Sequence, residues 1–496
     1  MSTTQTAYDA VEYPGFTYPD THPDHLAVMA LLYGLEPAPV ERCRVLEIGC
    51  NEGANLIPMA YAIPDGKFVG FDLAGTTIER GQERIRELGL NNIHLFQADL
   101  LEISPDLGEF DYIIAHGLYA WIPEPARDAM LALCKRHLAP NGVAFISYNA
   151  LPGGHIRHML RDMMTFRAKN FENPEQKINE SINLLELISK SRRENDPYRQ
   201  VIEDQMKRLQ RGRAHAIFHD DLTPAYKPVH FSEFIEHAGR HGLQYVSEAV
   251  LPVPQDPCFN PEFQQSIKAI AGDDLIAQEQ LLDFARMRMY RQTLLCHADH
   301  KLRREFPAGQ FPRLLFASSA ISNPGETVGT KVYTLPSCDR TLNCDQPATI
   351  AAMEQLIAAW PRALCFEQVA STLLANGVAT ARDVSLLLLQ MAVAQMIELH
   401  SWQAPIAQEI SEHPRASSIS RQEARLHPYT STLWHFTLEL ADPAGRALLQ
   451  LLDGTRDRKA LLAALQQSFP DMPAEELSNG MEPNLKFLYR SAILEA

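Results

Sequence analysis

The stretch Arg44–Gly53 (RVLEIGCNEG), with Gly70–Leu73 (GFDL) about twenty residues further on, decides the fold of this chain. A short apolar run ends in small, turn-forming residues, and an apolar-periodic helix follows from Ala54 to Ala62. A second apolar run, residues 67–71, ends beside the acid Asp72. Small residues let a backbone approach a ligand closely, and a carboxylate after the second strand can bind ribose hydroxyl groups. The pattern predicts a parallel sheet that binds an adenosine-containing cofactor.

Strand and helix patterns alternate from residue 44 to residue 149. Strands are predicted at residues 44–48, 67–71, 93–97, 110–114 and 143–148, and helices near residues 52–62, 76–88 and 125–138. This alternation is typical of the α/β class, with a doubly wound, mainly parallel sheet. The connections in such a sheet are right-handed, and its ligand lies outside the carboxyl ends of the strands.

Length and charge limit the classes of function. At 496 residues the chain is too long for a single hydrophobic core, so about three domains are expected. Apolar residues make up 46% and charged residues 21%, as in ordinary globular proteins. The net charge of −16 argues against binding a phosphate backbone, so no nucleic-acid partner is expected. The acidity could favour a basic peptide substrate or only keep a large protein soluble.

The eight cysteines form neither a CxxC pair nor a CxxC…HxxxH zinc pattern. Neither a disulfide framework nor a metal site is therefore expected. The first residues lack the basic start and apolar core of a secretion signal, and no apolar run approaches the roughly 18 residues that span a bilayer. A cytoplasmic location without membrane insertion is expected.

Residues 155–212 differ in character from the alternating part of the chain. Apolar residues recur at helical spacing between charged ones, and Asp196-Pro197 separates two amphipathic helices. Such helices could form an oligomerisation arm, cover the substrate as a lid, or pack onto the parent domain. A homodimer formed through them is one of these possibilities.

The remaining chain mixes both patterns. A helix is predicted at Ser232–His241, a strand at Tyr245–Leu251, a helix over Gln280–Cys296 (QLLDFARMRMYRQTLLC) and a strand-like region at Thr327–Leu335. The expected domains are the cofactor domain with an N-terminal lid at residues 1–154, the helical segment 155–212, a mixed α/β middle domain 213–300, a helical region 301–410 and a small α-rich unit 411–496.

The segment Glu47-x-Gly49-x-Asn51-x-Gly53 resembles the E/DxGxGxG loop of class I methyltransferases, which use S-adenosylmethionine (AdoMet). Asn51 replaces the middle glycine and is the side chain that best tolerates positive φ, so the loop geometry should survive. A dinucleotide-binding GxGxxG loop needs another glycine phase and an open helix N-terminus, and Glu52 would repel phosphates. AdoMet is therefore favoured over NAD. In that family, loop residues line the methionine part of the cofactor, which here implies Glu47, Gly49, Cys50, Asn51 and Gly53.

Two further acids lie where such a cofactor needs them. Asp72 is the expected partner of the ribose hydroxyl groups, although it could instead cap a helix. Asp99 follows the third strand and is expected to accept the adenine amino group, unless it is only a surface loop acid. Leu73 and Leu100 are candidate apolar walls for the adenine, or core residues.

The loops after the fourth and fifth strands should form the acceptor site. Methyl transfer is an in-line displacement, so the protein must align the acceptor and exclude water. His116 is the candidate polar group beside the methyl group, with a role in both cofactor binding and catalysis. It could instead be a structural histidine. The N-terminal Tyr13 and Tyr18 could fold over the cofactor as a lid. Tyr119 and Trp121 could wall the acceptor channel or could equally be core residues. The candidates for the acceptor site are His116, Tyr119, Trp121, Tyr148 and Asn149.

Further motifs give a family resemblance over nearly the whole chain. They are Tyr13-Pro14, His22-Pro23, Val45–Gly53, Ile113–Pro123, Ser147–Asn149, Pro152-Gly153, Phe218–Leu222, Glu248-Ala249, Asp283–Arg286, Arg291–Cys296 and Leu452–Asp457. On these residues the chain resembles bacterial class I methyltransferases with a methyltransferase regulatory domain, which include lysine methyltransferases of outer-membrane proteins. The resemblance implies a Rossmann-like cofactor domain, a helical dimerisation segment, a middle domain and a winged-helix-like C-terminal domain.

The resemblance also implies an AdoMet-dependent methyltransferase that acts on lysine side chains of a protein and releases S-adenosylhomocysteine (AdoHcy). One alternative is methylation of a small molecule, which would need a sealed acceptor pocket rather than an open groove. Another is an AdoMet-binding regulatory protein without turnover. Fold alone does not decide among them.

Overall fold

A seven-stranded sheet forms the centre of the structure. The computed structural model describes residues 15–211, 217–223, 225–251, 259–305, 307–335 and 340–496, without the side chains of Gln210, Arg211, Pro261 and Gln264. The strands of the sheet are β1 (Arg44–Ile48), β2 (Lys67–Asp72), β3 (Ile93–Gln97), β4 (Phe110–Ala115), β5 (Leu138–Asn149), β6 (Leu243–Glu248) and β7 (Tyr290–His297). Their order is β3-β2-β1-β4-β5-β7-β6, and β7 alone runs antiparallel to its neighbours.

Helices cover both faces of this sheet, as the predicted α/β fold requires. The helices of the first half are α1 (Pro23–Leu32), α2 (Leu56–Ala62), α3 (Gly75–Leu88) and α4 (Glu124–His137). Side chains of α1, α2 and α3 share a core with Val45 and Phe145, whereas those of α4 share one with Leu46 and Ile146. Successive strand residues point to opposite faces, so both faces of β1 and β5 are buried. The five strands and three helices predicted between residues 44 and 149 are confirmed, with shifted ends.

The prediction of one helix over Gln280–Cys296 is wrong in its second half. Helix α10 ends at Arg286, and β7 begins at Tyr290 between β5 and β6. Hydrogen bonding to strands on both sides outweighs the local helical preference. The sheet therefore continues past residue 154, because β6 and β7 complete the sheet that residues 44–149 begin.

Arg291 explains why the pattern of β7 resembles that of an amphipathic helix. Its guanidinium group is fully buried in the strand and pairs with Asp283, Glu248 and Glu279 at 2.8 to 2.9 Å. It also lies 3.9 Å from the centre of the Phe231 ring. A buried cation is tolerated only when it is paired in this way, and pairing partners distant in sequence are not visible in the local pattern.

The helical segment forms an arm with its own apolar core. It consists of α5 (Gly154–Ala168), α6 (Pro174–Lys190) and α7 (Pro197–Arg211), followed by a π-helical turn at Ile217–Asp221. Leu160, Leu185 and Ile202 are among the residues buried between these helices. The helices that follow are α8 (Phe231–Arg240), α9 (Pro261–Ala271) and α10 (Leu275–Arg286).

The C-terminal part contains small sheets as well as the expected helices. Its strands are β8 (Leu315–Ala317), β9 (Ile321–Pro324), β10 (Lys331–Leu335), β11 (Arg340–Cys344), β12 (Leu364–Cys365), β13 (Glu398–His400), β14 (Tyr429–Ser431) and β15 (Thr437–Glu439). Its helices are α11 (Pro347–Ala359), α12 (Phe366–Ala375), α13 (Ala381–Val393), α14 (Ser418–Leu426), α15 (Pro443–Leu451), α16 (Arg458–Ser468) and α17 (Ala474–Arg490). Among the described residues, no helix combines the length and the apolar character needed to cross a bilayer.

A buried ion pair connects α1 to the C-terminal part. One oxygen of the Asp24 carboxylate lies 2.7 Å from His400 Nδ1, and the other accepts hydrogen bonds from Ser401 and Trp402. Burial acts to lower the pKa of His400, but the carboxylates of Asp24 and, to a smaller extent, Glu398 outweigh it and raise that pKa to about 9. The N-terminal segment is therefore anchored to residues almost four hundred positions away.

We expect Asp24→Asn to lower the free energy of unfolding by about 3 kcal/mol, because it removes the carboxylate 2.7 Å from the buried His400 and leaves only that of Glu398 at 3.6 Å. The effect should shrink as the pH rises from 6.5 through 9, where wild-type His400 itself loses its charge. Urea unfolding followed by tryptophan fluorescence measures both. The control is Glu36→Gln, which breaks an exposed pair with Arg313 and should cost less than about 1 kcal/mol. Equal effects of the two substitutions would contradict the role assigned to Asp24.

Candidate active site

The loop after β1 has the conformation that the sequence predicts. Gly49, Asn51 and Gly53 all have positive φ, at 73°, 51° and 74°. Asn51 therefore replaces the middle glycine without changing the turn, because its side chain tolerates this region. The amides of Gly49 and Cys50 donate hydrogen bonds to the Phe71 carbonyl at 2.9 and 3.1 Å, which ties the loop to the end of β2.

Asp72 ends β2 and lies beside this loop. Its carboxylate accepts hydrogen bonds from the Asn51 and Ala74 amides, both at 2.9 Å. The two contacts hold the carboxylate between the β1 loop and the start of α3. This is the position in which a doubly wound sheet presents an acid to a ribose.

Glu47 is a buried acid with one unsatisfied oxygen. The Asn55 side-chain amide donates to its Oε1 at 2.8 Å, whereas no described residue hydrogen-bonds to its Oε2. Burial, together with the charge of Asp72, raises the pKa of Glu47 to about 8. A buried carboxyl group whose pKa is raised in this way lacks a cationic partner. The methionine part of AdoMet carries an ammonium group, so Glu47 and Asp72 together fit this cofactor.

Cys50 contributes only its backbone to the loop surface. Its side chain is turned into the core, because a Cβ added at Gly70 would come within 2.8 Å of the Cys50 sulfur. Burial raises the pKa of this thiol, so it is not a nucleophile. Gly53 is similarly enclosed, since a Cβ there would lie 2.7 Å from Leu95.

The adenine side of the site is more open. The Asp99 carboxylate accepts a hydrogen bond from the Leu101 amide at 2.9 Å and so caps a short 3₁₀ turn. Leu73 is exposed and Leu100 is half buried at the edge of the core. Leu101 is also exposed and was not among the predicted residues. These leucines follow β2 and β3, at the edge of the sheet where an adenine ring is expected.

His116, at the end of β4, lies between two tyrosines. Its ring stacks on that of Tyr18 at a centroid distance of 3.7 Å, and its Nε2 lies 3.2 Å from the Tyr290 hydroxyl. Burial lowers the pKa of His116 to about 4, although Asp20 opposes the shift. The imidazole is therefore neutral at physiological pH. Tyr290 was missed in the sequence because it begins β7.

Polar groups of β5 complete this edge. Ser147 Oγ accepts a hydrogen bond from the Gly117 amide at 2.7 Å. Asn149 is paired with Tyr290 across β5 and β7, so both lie on the same face of the sheet. Burial raises the pKa of Tyr290, and the charges of Asp20 and Asp220 add to the effect. The edge thus combines aromatic rings with nearby carboxylates.

Tyr119 and Tyr148, expected in the acceptor channel, lie in the core instead. Both are almost fully buried against Phe234 of α8, and Tyr148 is on the opposite face of β5 from Ser147. For Tyr148, the period-two alternation of β5 requires this position, and a strand buried on both faces does not show which face is which. Tyr119 lies in a 3₁₀ turn after β4.

Trp121 is half buried and lies beside Tyr226, with its ring centre 4.8 Å away. Arg157 and Arg161 of the arm lie over it. Trp121 is therefore part of the contact between the sheet and the arm.

The N-terminal segment lies against the residues around the loop, and its role as a lid stays a prediction. The Tyr18 amide donates to Asn55 Oδ1 at 3.0 Å, and His435 Nε2 from the C-terminal part lies 2.8 Å from the same oxygen. Burial raises the pKa of Tyr18 to about 12, and the charges of Glu47 and Asp220 contribute. The other lid candidate, Tyr13, lies outside the described residues.

Three family profiles match separate parts of the chain. Residues 45–142 match the family described as "Methyltransferase domain", and residues 213–297 match "Predicted methyltransferase regulatory domain". Residues 412–473 match "PKMT, C-terminal winged helix domain". The second match contains β6 and β7, so the regulatory segment supplies two strands of the central sheet.

Similar proteins extend the match to the whole chain. The uncharacterized protein RP789 of Rickettsia prowazekii is 30% identical over 478 residues, 92% of this chain and 85% of that protein. The uncharacterized protein RP028 of the same organism is 35% identical over 48% of this chain and 95% of its own length. The structure of PKMT2 from Rickettsia typhi in complex with AdoHcy superposes with a TM-score of 0.87 at 23% identity, over 97% of this chain and 99% of that one. This likeness shows a shared fold.

We expect Asp72→Ala to weaken AdoMet binding by roughly 1–3 kcal/mol, because it removes a carboxylate that hydrogen-bonds the ribose. Isothermal titration calorimetry with AdoMet measures the change. Asp65→Ala, which removes an exposed carboxylate just before the same strand, is the control and should bind normally. Unchanged affinity in Asp72→Ala would show that the ribose lies elsewhere.

Proposed function

The chain belongs to the family of AdoMet-dependent class I methyltransferases with a methyltransferase regulatory domain, and we propose that its methyl acceptor is a lysine side chain of a protein. The observation that carries this proposal is the cluster of Tyr18, His116 and Tyr290 at the carboxyl edge of the sheet. Two names from the comparisons support the proposal: the description of the matched C-terminal family and the name of the Rickettsia typhi structure. In both, PKMT stands for protein lysine methyltransferase.

A lysine acceptor must arrive as an ammonium ion and react as an amine. Aromatic faces attract the cation, and the Asp20 carboxylate adds a negative charge near this edge, whereas that of Asp220 is paired with Arg157 at 3.6 Å. The neutral imidazole of His116 does not repel the cation. The same burial that lowers the pKa of His116 disfavours the charged form of a lysine that enters here.

Asp220 is the candidate acceptor for the proton that the ammonium releases. Burial raises the pKa of its carboxyl group, although Arg157 opposes the shift. A base with a raised pKa takes up a proton more readily than an exposed aspartate does. When AdoMet is bound, it supplies an electrophilic methyl group on sulfur. The chain's own part is to position the amine against the edge that Tyr18, His116 and Tyr290 form and to exclude water.

We expect His116→Ala to lower methyl transfer about 100-fold, because the amine loses the ring that positions it, while AdoMet affinity stays within about twofold. AdoHcy release during incubation with lysine-containing proteins measures turnover, and peptide mass spectrometry assigns the methylated residue type. His158→Ala, an exposed histidine on α5, is the control and should retain full activity. Methyl groups found only on a small molecule, or on side chains other than lysine, would overturn the proposal.

The arm formed by α5, α6 and α7 is proposed to bind a second copy of the chain. Phe166 and Leu187 are more than half exposed on it, although the arm has a packed core of its own. Large apolar side chains exposed on amphipathic helices are typical of helix–helix interfaces. A cytoplasmic location is also proposed, because all six described cysteines are free thiols, as expected in a reducing compartment.

We expect Leu187→Glu to convert a dimer into a monomer, because it places a charge in the proposed apolar interface. Light scattering coupled to size-exclusion chromatography measures the molar mass. Leu374→Glu, at an exposed leucine of α12, is the control and should leave the mass unchanged. A wild-type protein that is monomeric at all concentrations would contradict the dimer.

A further inference from the structure

Three side chains with metal-ligating atoms meet outside the active site, where α4 packs against α8. Asp128 is on α4, His237 is on α8, and His241 caps the carboxyl end of α8 one turn further on. Asp128 Oδ1 lies 3.2 Å from His237 Nε2 and 2.8 Å from His241 Nε2. One ligand atom from each residue lies within 4.8 Å of the other two. We refer to these three residues as the His–Asp cluster.

The cluster is accessible from one side only. The side chains of His237 and His241 are 10% and 18% exposed, whereas that of Asp128 is 61% exposed. The two rings are therefore held in place by their surroundings, and solvent reaches the shared oxygen from the Asp128 side. An ion could enter from that side and keep water in its remaining coordination position.

Tyr119 holds the inner ring in an orientation suited to a metal ligand. Its hydroxyl lies 2.9 Å from His237 Nδ1, on the side of the ring opposite Asp128. Metal-binding histidines usually have their second ring nitrogen hydrogen-bonded in this way, which fixes the tautomer. A phenol hydroxyl can either donate or accept a hydrogen bond, so Tyr119 supports the ring both without and with a metal. Tyr119 does not line the acceptor site, and this hydrogen bond gives its buried hydroxyl group a role.

We propose that the His–Asp cluster is a binding site for a zinc ion. Imidazole nitrogen and carboxylate oxygen are both zinc ligands, and the set of three protein ligands leaves one tetrahedral position for water. The ion would connect α4, which belongs to the first half of the sheet, with α8, which belongs to the regulatory segment. Its role is to stabilise the packing of these two helices. The spacing of the histidines, four residues apart at the carboxyl end of one helix, is the sequence signal for this site.

The test uses the full-length protein after treatment with EDTA and dialysis. Calorimetric titration with Zn²⁺ measures affinity and stoichiometry, and titration with Co²⁺ gives a visible absorption band that reports the ligand set. We expect one equivalent of Zn²⁺ to bind, and the thermal midpoint to rise. His241→Gln and Asp128→Asn each remove a ligand and should lose both effects. Tyr119→Phe keeps all three ligands and should weaken binding about tenfold.

The matched control is His158→Gln, which alters an exposed histidine with an aspartate four residues away but no second histidine. It should bind Zn²⁺ as the wild type does. If a ligand variant is less stable already in EDTA, the cobalt spectrum recorded below its thermal midpoint still shows whether the ligand set is intact. The proposal would be overturned if the wild type failed to bind Zn²⁺. It would also be overturned if His241→Gln and Asp128→Asn bound Zn²⁺ as tightly as the wild type does.

Discussion

The side-chain amide of Asn55 is the contact on which the arrangement around the cofactor loop depends. Its nitrogen donates to Glu47 and Thr21, and its oxygen lies within hydrogen-bond distance of the Tyr18 amide and His435. The cofactor loop, the N-terminal segment and the C-terminal part therefore meet at one buried group. A buried amide with an unpaired atom is costly, so these three parts are expected to hold their positions together.

Local patterns predict the part of the structure that local forces decide. The apolar run of β1, the turn residues after it and the acid Asp72 all appear in sequence order, and Asn51 adopts the positive φ that its side chain tolerates. The conformation of this loop can thus be predicted from about thirty residues, and the ribose and methionine positions around it stay predictions. Burial raises the pKa of Glu47, and the apolar run of β1 around Glu47 already indicates that burial.

Long-range pairing decides the rest, and the sequence does not reveal it. β7 carries the charged Arg291, whose partners lie on α10 and β6. In the sequence, this charge among apolar residues resembles the pattern of an amphipathic helix. The first residue of β7, Tyr290, reaches His116 only because β7 lies between β5 and β6. Tyr148, by contrast, lies on the opposite face of β5 from its neighbours Ser147 and Asn149, which are at this edge. The proposed acceptor edge consists of Tyr18, His116 and Tyr290, which span more than half of the chain.

The central claim is that the methyl group of the cofactor faces this aromatic edge while its ribose lies at Asp72. A crystal structure of the protein with AdoHcy tests it most directly, because AdoHcy keeps the sulfur from which the methyl group has left. We predict hydrogen bonds between the ribose hydroxyl groups and Asp72, and a sulfur atom directed at the space bounded by Tyr18, His116 and Tyr290. A ligand whose sulfur points away from His116, or whose ribose is held elsewhere, would contradict the account.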